Sequence, residues 1–158
     1  MWGILLIVIL IVAFYFIYLK DYFEVKKIFK LLSKTLDTRD LLAMKLVPEI
    51  KNKNEKAEII QLIELRMKNK NSGYTEQMKL DVKLNEKLKK VYFDLEKSAD
   101  NILIKSVVTN ILEIEHKLKK IREEYNTVVE KYNMNLVMNK FVCVKLIHMK
   151  PLDKYTTN

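Results

Sequence analysis

Chain-breaking and cross-linking residues are scarce in this sequence. Its 158 residues include only two glycines, two prolines and one cysteine. So few breakers argue against the many tight turns of a β-sandwich or barrel and favour a few long helices. The lone Cys143 cannot form an internal disulfide and belongs to no CxxC pattern, which excludes a disulfide-built secreted domain. Two isolated glycines also cannot form a glycine-rich phosphate loop.

A charge-free apolar run opens the chain. Residues 2–19, WGILLIVILIVAFYFIYL, would rise about 27 Å as a helix, close to the ~30 Å hydrocarbon core of a bilayer. Trp2 lies at one end and Tyr15 and Tyr18 at the other, where aromatic rings prefer the membrane interface. A cleaved signal peptide is the alternative, but no basic residue precedes the run and no small-residue cleavage pattern follows it. We expect an uncleaved transmembrane anchor.

The distribution of lysines predicts the orientation of this anchor. No basic residue precedes the run, whereas five lysines follow it closely, at positions 20, 26, 27, 30 and 34. The positive-inside rule therefore predicts a single-pass protein of the cytoplasmic membrane, with its N-terminus outside and its body in the cytoplasm. The net charge of +9 lies wholly beyond residue 19, so the body would be attracted to anionic lipid headgroups. A lysine-rich composition that merely solvates the helices is the alternative.

Helical periodicity continues through the rest of the chain and predicts an all-α fold, an antiparallel bundle of long helices behind the anchor. We expect the anchor, 1–19, to continue as one helix to about residue 36, followed by a helical domain over 37–138 and a C-terminal tail over 139–158. The Asp37–Asp40 segment predicts a helix cap with an acidic first turn. Pro48 either kinks the second helical region or opens a new helix, and the sequence does not distinguish the two. The stretch 69–75 predicts a loop, with Thr75 capping the third helix.

The fourth helical region carries a seven-residue apolar repeat, typical of coiled-coil packing. From Ile104 to Tyr132 uncharged residues recur at alternating steps of three and four. The pair Tyr-Asn occurs twice in this region, as Tyr125-Asn126 and Tyr132-Asn133, seven residues apart. Residues seven apart share nearly the same helix face, so both tyrosines should pack inward. The asparagines would lie beside the seam, where an amide could bond to a neighbouring helix.

The same region resembles the C-terminal signature of the bacterial LemA family. The resemblance is carried by the pattern Glu115, Leu118, Arg122, Tyr125, Asn126, Val129, Tyr132 and Asn133, followed by Leu136. A weaker similarity extends back to Arg39-Asp40-Leu41-Leu42. The resemblance implies one membrane helix, a cytoplasmic all-helical body and no established enzymatic activity, with these motif residues in a structural role. Ala43 stands where the family has proline, which marks the chain as a divergent member.

Residues that could support catalysis or metal binding are few and isolated. His116 follows Glu115 but lacks the second histidine of an HExxH site, and we interpret it as a surface residue. Cys143 and His148 have no clear third partner for a nucleophilic site. Glu123 and Glu124 are more typical of a charged helix face than of an acid/base pair. We therefore predict no catalytic, cofactor-binding or metal site, and no enzyme.

An interaction or structural role at the membrane is the function that the sequence favours. The expected partners are the lipid bilayer, anionic headgroups and an unidentified protein. An accessory factor that binds the cytoplasmic side of a membrane protease or transporter is the alternative. A membrane-tethered nucleic-acid binder is a third possibility, since the pI is near 9.4. However, only three of the 29 basic residues are arginine, they are scattered, and no nucleic-acid-binding motif is present.

The stretch after the Tyr-Asn repeat is apolar but too short to span a membrane. Residues 136–150 are interrupted by Asn139, Lys140 and Lys145, so the segment must bury its apolar side chains elsewhere. One hypothesis places it at the membrane surface, where Lys140, Lys145, Lys150 and Lys154 would face lipid phosphates. The alternative is a tail that packs against the bundle.

Overall fold

A computed structural model of the chain describes residues 2–71, 73–98, 102–138 and 149–155. Four α-helices occur in these ranges: α1 (Trp2–Leu46), α2 (Lys53–Lys68), α3 (Tyr74–Ser98) and α4 (Ile102–Met138). Short 3-10 turns, Val47–Glu49 and Asn69–Asn71, follow α1 and α2. These ranges contain no strand. The predicted all-α fold, with a long N-terminal apolar helix that leads into a helical body, is confirmed.

The helix break predicted at residue 37 is wrong, because α1 runs without interruption to Leu46. The polar residues expected to cap a new helix stay helical, since Arg39 and Asp40 are both fully buried and have charged partners on other helices. The chain turns at Val47–Glu49 instead, and Pro48 lies within this 3-10 turn. Pro48 thus neither kinks a helix nor opens α2. Helix α2 begins after Asn52, whose side chain accepts from the backbone amides of Asn54 and Glu55.

Helices α1 and α4 form a long antiparallel pair. The Tyr18 hydroxyl donates to the carbonyl of Asn135 at 2.7 Å, and the Phe29 and Tyr125 rings lie 5.9 Å apart. Further along α1, Arg39 pairs with Glu115 of α4 at 3.2 Å. Residue numbers therefore rise along α1 as they fall along α4, which makes the two helices antiparallel. The end of α4 returns to the level of Tyr18, as expected for regions that run alternately away from and toward the anchor.

Helices α2 and α3 form an antiparallel hairpin against the second half of α1. Two ion pairs, Lys87 with Glu58 at 2.5 Å and Lys90 with Glu55 at 3.2 Å, cross this hairpin. The loop predicted at 69–75 corresponds to the turn between them, but α3 begins at Tyr74, so Thr75 lies inside the helix rather than capping it.

The body has two apolar cores stacked along its length. The proximal core lies nearer the N-terminal segment and joins α1 to α4 through residues such as Val25, Leu32, Leu118 and Val129. The distal core joins the end of α1 to all three other helices. The charged residues Asp37, Arg39 and Asp40 of α1 and Asp81 of α3 lie between the two cores in sequence.

The buried stripe of α4 coincides with the predicted apolar seam only in part. Its buried positions are Val108, Ile111, Leu118, Arg122, Tyr125, Val128, Val129, Tyr132 and Leu136, and five of these belong to the predicted seam. Of the predicted seam, Ile104, Val107, Ile114 and Ile121 are only partly buried. The prediction missed part of the stripe because it admitted only uncharged residues. The true stripe contains Arg122, which is buried with carboxylates from other helices.

The N-terminal part of α1 projects beyond the body. From Trp2 to Ile17 its large side chains are mostly exposed, for example Trp2 at 84% and Ile7 at 58%. The first fully enclosed side chain of α1 is Tyr18, and the partly buried Phe14 packs against the proximal core one turn earlier. By length and composition this helix could cross a membrane, and only 6% of its most apolar 18-residue window is buried.

Candidate functional site

A buried charge layer separates the two cores. We define it as Asp37, Arg39, Asp40, Arg66, Asp81, Glu115 and Arg122. All three arginines of the chain belong to it, and each is at most 5% exposed. Among the lysines that the structure describes, by contrast, only Lys70 joins the layer, at its edge. The planar guanidinium suits buried multi-carboxylate contacts better than a strongly hydrated ammonium does, which accounts for this division.

Arg39 is the centre of the layer. Its Nη2 lies 2.9 Å from Asp40 Oδ1 and 2.7 Å from Asp81 Oδ1, while Nη1 lies 3.2 Å from Glu115 Oε1. The Asp81 Oδ1 contact is close but poorly aligned for a hydrogen bond, so it is mainly electrostatic. Arg39 thus joins α3 and α4 to α1.

Two further arginines extend the layer on either side of Arg39. Arg66 of α2 pairs with Asp40 and, at 2.7 Å, with Asp37. Arg122 of α4 pairs with Asp81 at 2.9 Å and with Glu115 at 3.5 Å. Lys70 completes the set through Asp37 at 2.8 Å. Four cations therefore face four carboxylates, and all four helices contribute.

The surrounding carboxylates keep Arg39 charged despite its burial. Burial opposes the charge on Arg39, but Asp81, Asp40 and Glu115 outweigh this effect and raise its pKa above the ordinary value for arginine. Burial also raises the pKa of the neighbouring Tyr92, although Arg39 acts in the opposite direction. A guanidinium does not deprotonate in proteins, and each carboxylate of the layer already faces a cation. The arrangement is suited to fixing the register of four helices.

The repeated Tyr-Asn pairs form a second site on α4, which we call the Tyr-Asn ladder (Tyr125, Asn126, Tyr132 and Asn133). It holds residues 149–155, the strap, which lie outside any helix. Asn133 Nδ2 donates to the Leu152 carbonyl at 2.7 Å, and its Oδ1 accepts from the Leu152 amide at 2.9 Å. Asn126 binds the Tyr155 carbonyl and amide in the same way, at 2.9 and 2.6 Å.

The tyrosines of the ladder add one contact each. The Tyr132 hydroxyl donates to the Lys150 carbonyl at 3.2 Å, and the Tyr125 hydroxyl makes a longer contact with the Asp153 carbonyl at 3.4 Å. Seven residues of an α-helix rise about 10.5 Å, and three residues of extended chain span about 10 Å. The repeat of seven on α4 therefore matches a repeat of three on the strap, which explains why Tyr-Asn occurs twice.

Side chains of the strap link the ladder to the rest of the body. Leu152 packs against the proximal core, and Tyr155 is 3% exposed, with Arg122 5.0 Å above the centre of its ring. Thr75 of α3 donates to the Asp153 carboxylate at 2.5 Å. The strap therefore bridges α3 and α4 and touches the charge layer through Arg122.

Most of the motif residues singled out in the sequence belong to these two sites. Glu115 and Arg122 lie in the charge layer, the two Tyr-Asn pairs form the ladder, and Leu118 and Val129 lie in the proximal core. The asparagines bind the strap, so the prediction that they bond to a neighbouring helix is wrong. His116 is exposed beside a cleft of about 500 Å³ between α3 and α4.

The tail lysines are placed differently from one another. Lys150 is exposed beside Tyr15 and Leu19, at the end of the body where the apolar segment begins. Lys154 pairs instead with Glu130 of α4 at 3.1 Å. Lys140 and Lys145 lie outside the described residues, as do Cys143 and His148.

Sequence reasoning missed the partners of the motif residues, namely Arg39, Asp40, Arg66 and Asp81 as one cluster, and the strap residues Leu152 and Tyr155. A signal for the cluster was present. Asp81 occurs three residues before the buried Leu84, and Arg66 three residues after the buried Ile63, so both occupy apolar-stripe positions of their helices. The strap gives no comparable periodic signal.

Comparison of the chain with protein-family models, with curated proteins and with solved structures finds no match. Within the described residues, no group of three or more His, Cys, Asp or Glu side chains is arranged to hold a metal ion. The functional interpretation therefore rests on the geometry of the anchor, the charge layer and the ladder.

Proposed function

We propose that the chain is a membrane-anchored interaction protein of the LemA type, with residues 2–17 in the bilayer and a rigid helical body at the cytoplasmic surface. The observation that carries this proposal is the continuity of α1. One unbroken helix is exposed and apolar over its first part and forms the centre of the bundle over its second. The exposed part needs an apolar environment, because large exposed apolar surfaces are costly in water.

The boundary between the two parts of α1 supports an uncleaved anchor. Tyr18 and Asp21 are at most 2% exposed, and both contact α4 close to its end. Asp21 accepts from Asn135 at 2.7 Å and pairs with Lys131 at 2.9 Å. Removal of a signal peptide near residue 20 would take Tyr18 out of the proximal core, so cleavage and folding would conflict.

The lysine distribution supports the proposed orientation. Lys20, Lys26, Lys27, Lys30 and Lys34 are all exposed on α1 beyond the apolar segment. Lys20 lies at the end of that segment and Lys26 and Lys27 about 10 Å further along the helix, so these three are the best placed for anionic headgroups. Lys150 lies at the same end of the body. Lys154 is paired with Glu130 and contributes less to such a surface in this proposal.

The role we assign is binding rather than catalysis, because the two sites consist of groups that bind one another. The charge layer makes the body rigid. Of the LemA-like motif residues, some belong to this layer and others hold the strap. An accessory role on the cytoplasmic side of a membrane protease or transporter is the alternative form of the same proposal. Co-purification of a stable enzyme partner from detergent extract would favour that alternative.

Membrane retention and N-terminal mapping of the expressed chain test the proposal. We expect the protein to stay in the membrane pellet through alkaline carbonate extraction and to begin at or near Met1. The matched variant Val8→Lys/Val12→Lys places two charges in the apolar segment, at side chains that are exposed and remote from the body. This variant should be extracted while it keeps the melting behaviour of the body. A wild-type chain that is extracted by carbonate, or that begins near residue 20, would contradict the proposal.

A further inference from the structure

We propose that the Tyr-Asn ladder is a binding site for an extended peptide segment of a protein partner, and that the strap occupies this site in the isolated chain. The segment it fits has a leucine and an aromatic residue three positions apart, with an acidic and then a basic residue favoured between them. The inference rests on the proposed interaction role and names the chemistry of its partner. Its test measures peptide binding in detergent solution and does not depend on membrane retention.

The ladder recognises backbone rather than side chains. Asn133 and Asn126 each contact both the amide and the carbonyl of one strap residue, in the manner of a paired strand. The tyrosine hydroxyls contact two further carbonyls. Such contacts are available to any extended chain, as when a peptide adds to the edge of a sheet. A surface built in this way has no inherent preference for residues of its own chain.

Two side-chain positions supply the sequence preference. Leu152 packs against the proximal core and Tyr155 is enclosed beside Arg122. Asp153 and Lys154 between them are exposed and add weaker charge preferences through Thr75 and Glu130. The Tyr155 hydroxyl is buried and has no hydrogen-bond partner among the described residues. A buried unsatisfied hydroxyl is unfavourable, so phenylalanine should bind in this position at least as well as tyrosine.

Competition with the strap determines what the partner must offer. The strap is joined to α4 by residues 139–148, so it competes for the ladder within the same molecule and is favoured over a free peptide of equal affinity. The strap of a second copy would offer only the same contacts without the tether, so we assign the site to a different protein. A longer segment can gain contacts from the cleft of about 660 Å³ beside the strap, which has Met78 and Val82 in its wall and Lys79 and Lys83 among its lining residues.

Fluorescence anisotropy of a labelled peptide MKPLDKY, identical to residues 149–155, tests the inference on the full chain in detergent. The wild type is compared with Leu152→Ser/Tyr155→Ala, which weakens the strap, and with the same variant carrying Asn126→Ala/Asn133→Ala. We expect saturable binding to the strap variant, at least about tenfold tighter than to the wild type because the competitor is weakened. Loss of the asparagines should weaken binding by about tenfold or more, since four hydrogen bonds are removed.

Hydrogen exchange gives a second readout on the wild-type chain, which does not require the variants to fold. Excess peptide should accelerate exchange of the Leu152 and Tyr155 amides and leave α1 and α4 protected. The peptide MKPLDKF should do so at the same or a lower concentration. Absence of binding to a strap variant of wild-type helicity, binding that is indifferent to the two asparagines, or unchanged exchange at saturating peptide would each overturn the inference. None of these results would alter the outcome of carbonate extraction, so the proposed membrane role and the peptide site are tested independently.

Discussion

Replacing Arg39 with methionine removes the central cation of the charge layer with little change in side-chain volume. Asp40 would retain Arg66, while Asp81 and Glu115 would share Arg122. Arg66, Arg122 and Lys70 would then face four carboxylates, so each carboxylate keeps a cation but the layer carries one net negative charge. The variant therefore tests whether the layer is a closed electrostatic unit.

The expected cost follows from the burial of the groups involved. Arg39, Asp40 and Asp81 are each 0% exposed, so water cannot replace the lost cation. Removing one partner of a buried ion pair typically costs about 3–5 kcal/mol. For a body of this size that corresponds to a decrease in melting temperature of roughly 10–20 °C. Because every carboxylate keeps at least one cation, we expect the lower half of this range.

Thermal melting by circular dichroism in detergent measures the effect, with Lys87→Met as the matched control. Lys87 also loses an ion pair, with Glu58, but this pair is exposed, and its loss should leave the melting temperature unchanged within error. The double variant Arg39→Met/Asp81→Asn should be less destabilised than the sum of its single variants, by about 1 kcal/mol or more. A melting temperature of Arg39→Met equal to that of Lys87→Met would refute the reasoning.

Two further predictions concern the proximal core and the ladder. Leu118→Asp would bury a charge at a side chain that is 0% exposed, at a cost of several kcal/mol out of a typical total of ~5–15 kcal/mol, and should abolish cooperative melting at the wild-type temperature. Burial raises the pKa of Tyr125 above its ordinary value, so the folded state holds this proton more tightly than the unfolded state. The resulting stability is fully present below about pH 10 and is lost as the pH rises further. Urea midpoints between pH 8 and 11 should therefore decline less for Tyr125→Phe than for the wild type, and equal declines would count against a buried neutral phenol.

The parts of the fold that could be predicted from the sequence are those in which apolar residues pack the helices together. The scarcity of glycine and proline, the apolar run and the heptad period led to an all-α bundle with a long N-terminal helix. The sequence did not predict the continuation of α1 through residues 37–40. Aspartate and threonine are good helix caps in isolation, but here the charges have partners on α2, α3 and α4, and those long-range contacts outweigh the local preference.

The candidate sites could be predicted only in part from the sequence. The Tyr-Asn repeat stood out because its spacing equals the helical heptad, and the inward position of both tyrosines followed from that spacing. Its partner could not be predicted, because the strap is extended, short and recognised through its backbone. Likewise, Asp81 and Arg66 lie on the buried faces of their helices, but a charged residue in an apolar stripe is recognised as buried only when its counter-charges are known.

Thiol labelling of intact and lysed cells tests the central claim, that one continuous helix joins a membrane segment to a cytoplasmic body. Two single-cysteine chains are made in a Cys143→Ser background, one with Trp2→Cys and one with Glu113→Cys, both at exposed side chains. A membrane-impermeant maleimide should label Trp2→Cys in intact cells and label Glu113→Cys only after lysis. Labelling of Glu113→Cys in intact cells would place the body outside the cytoplasm and contradict the account.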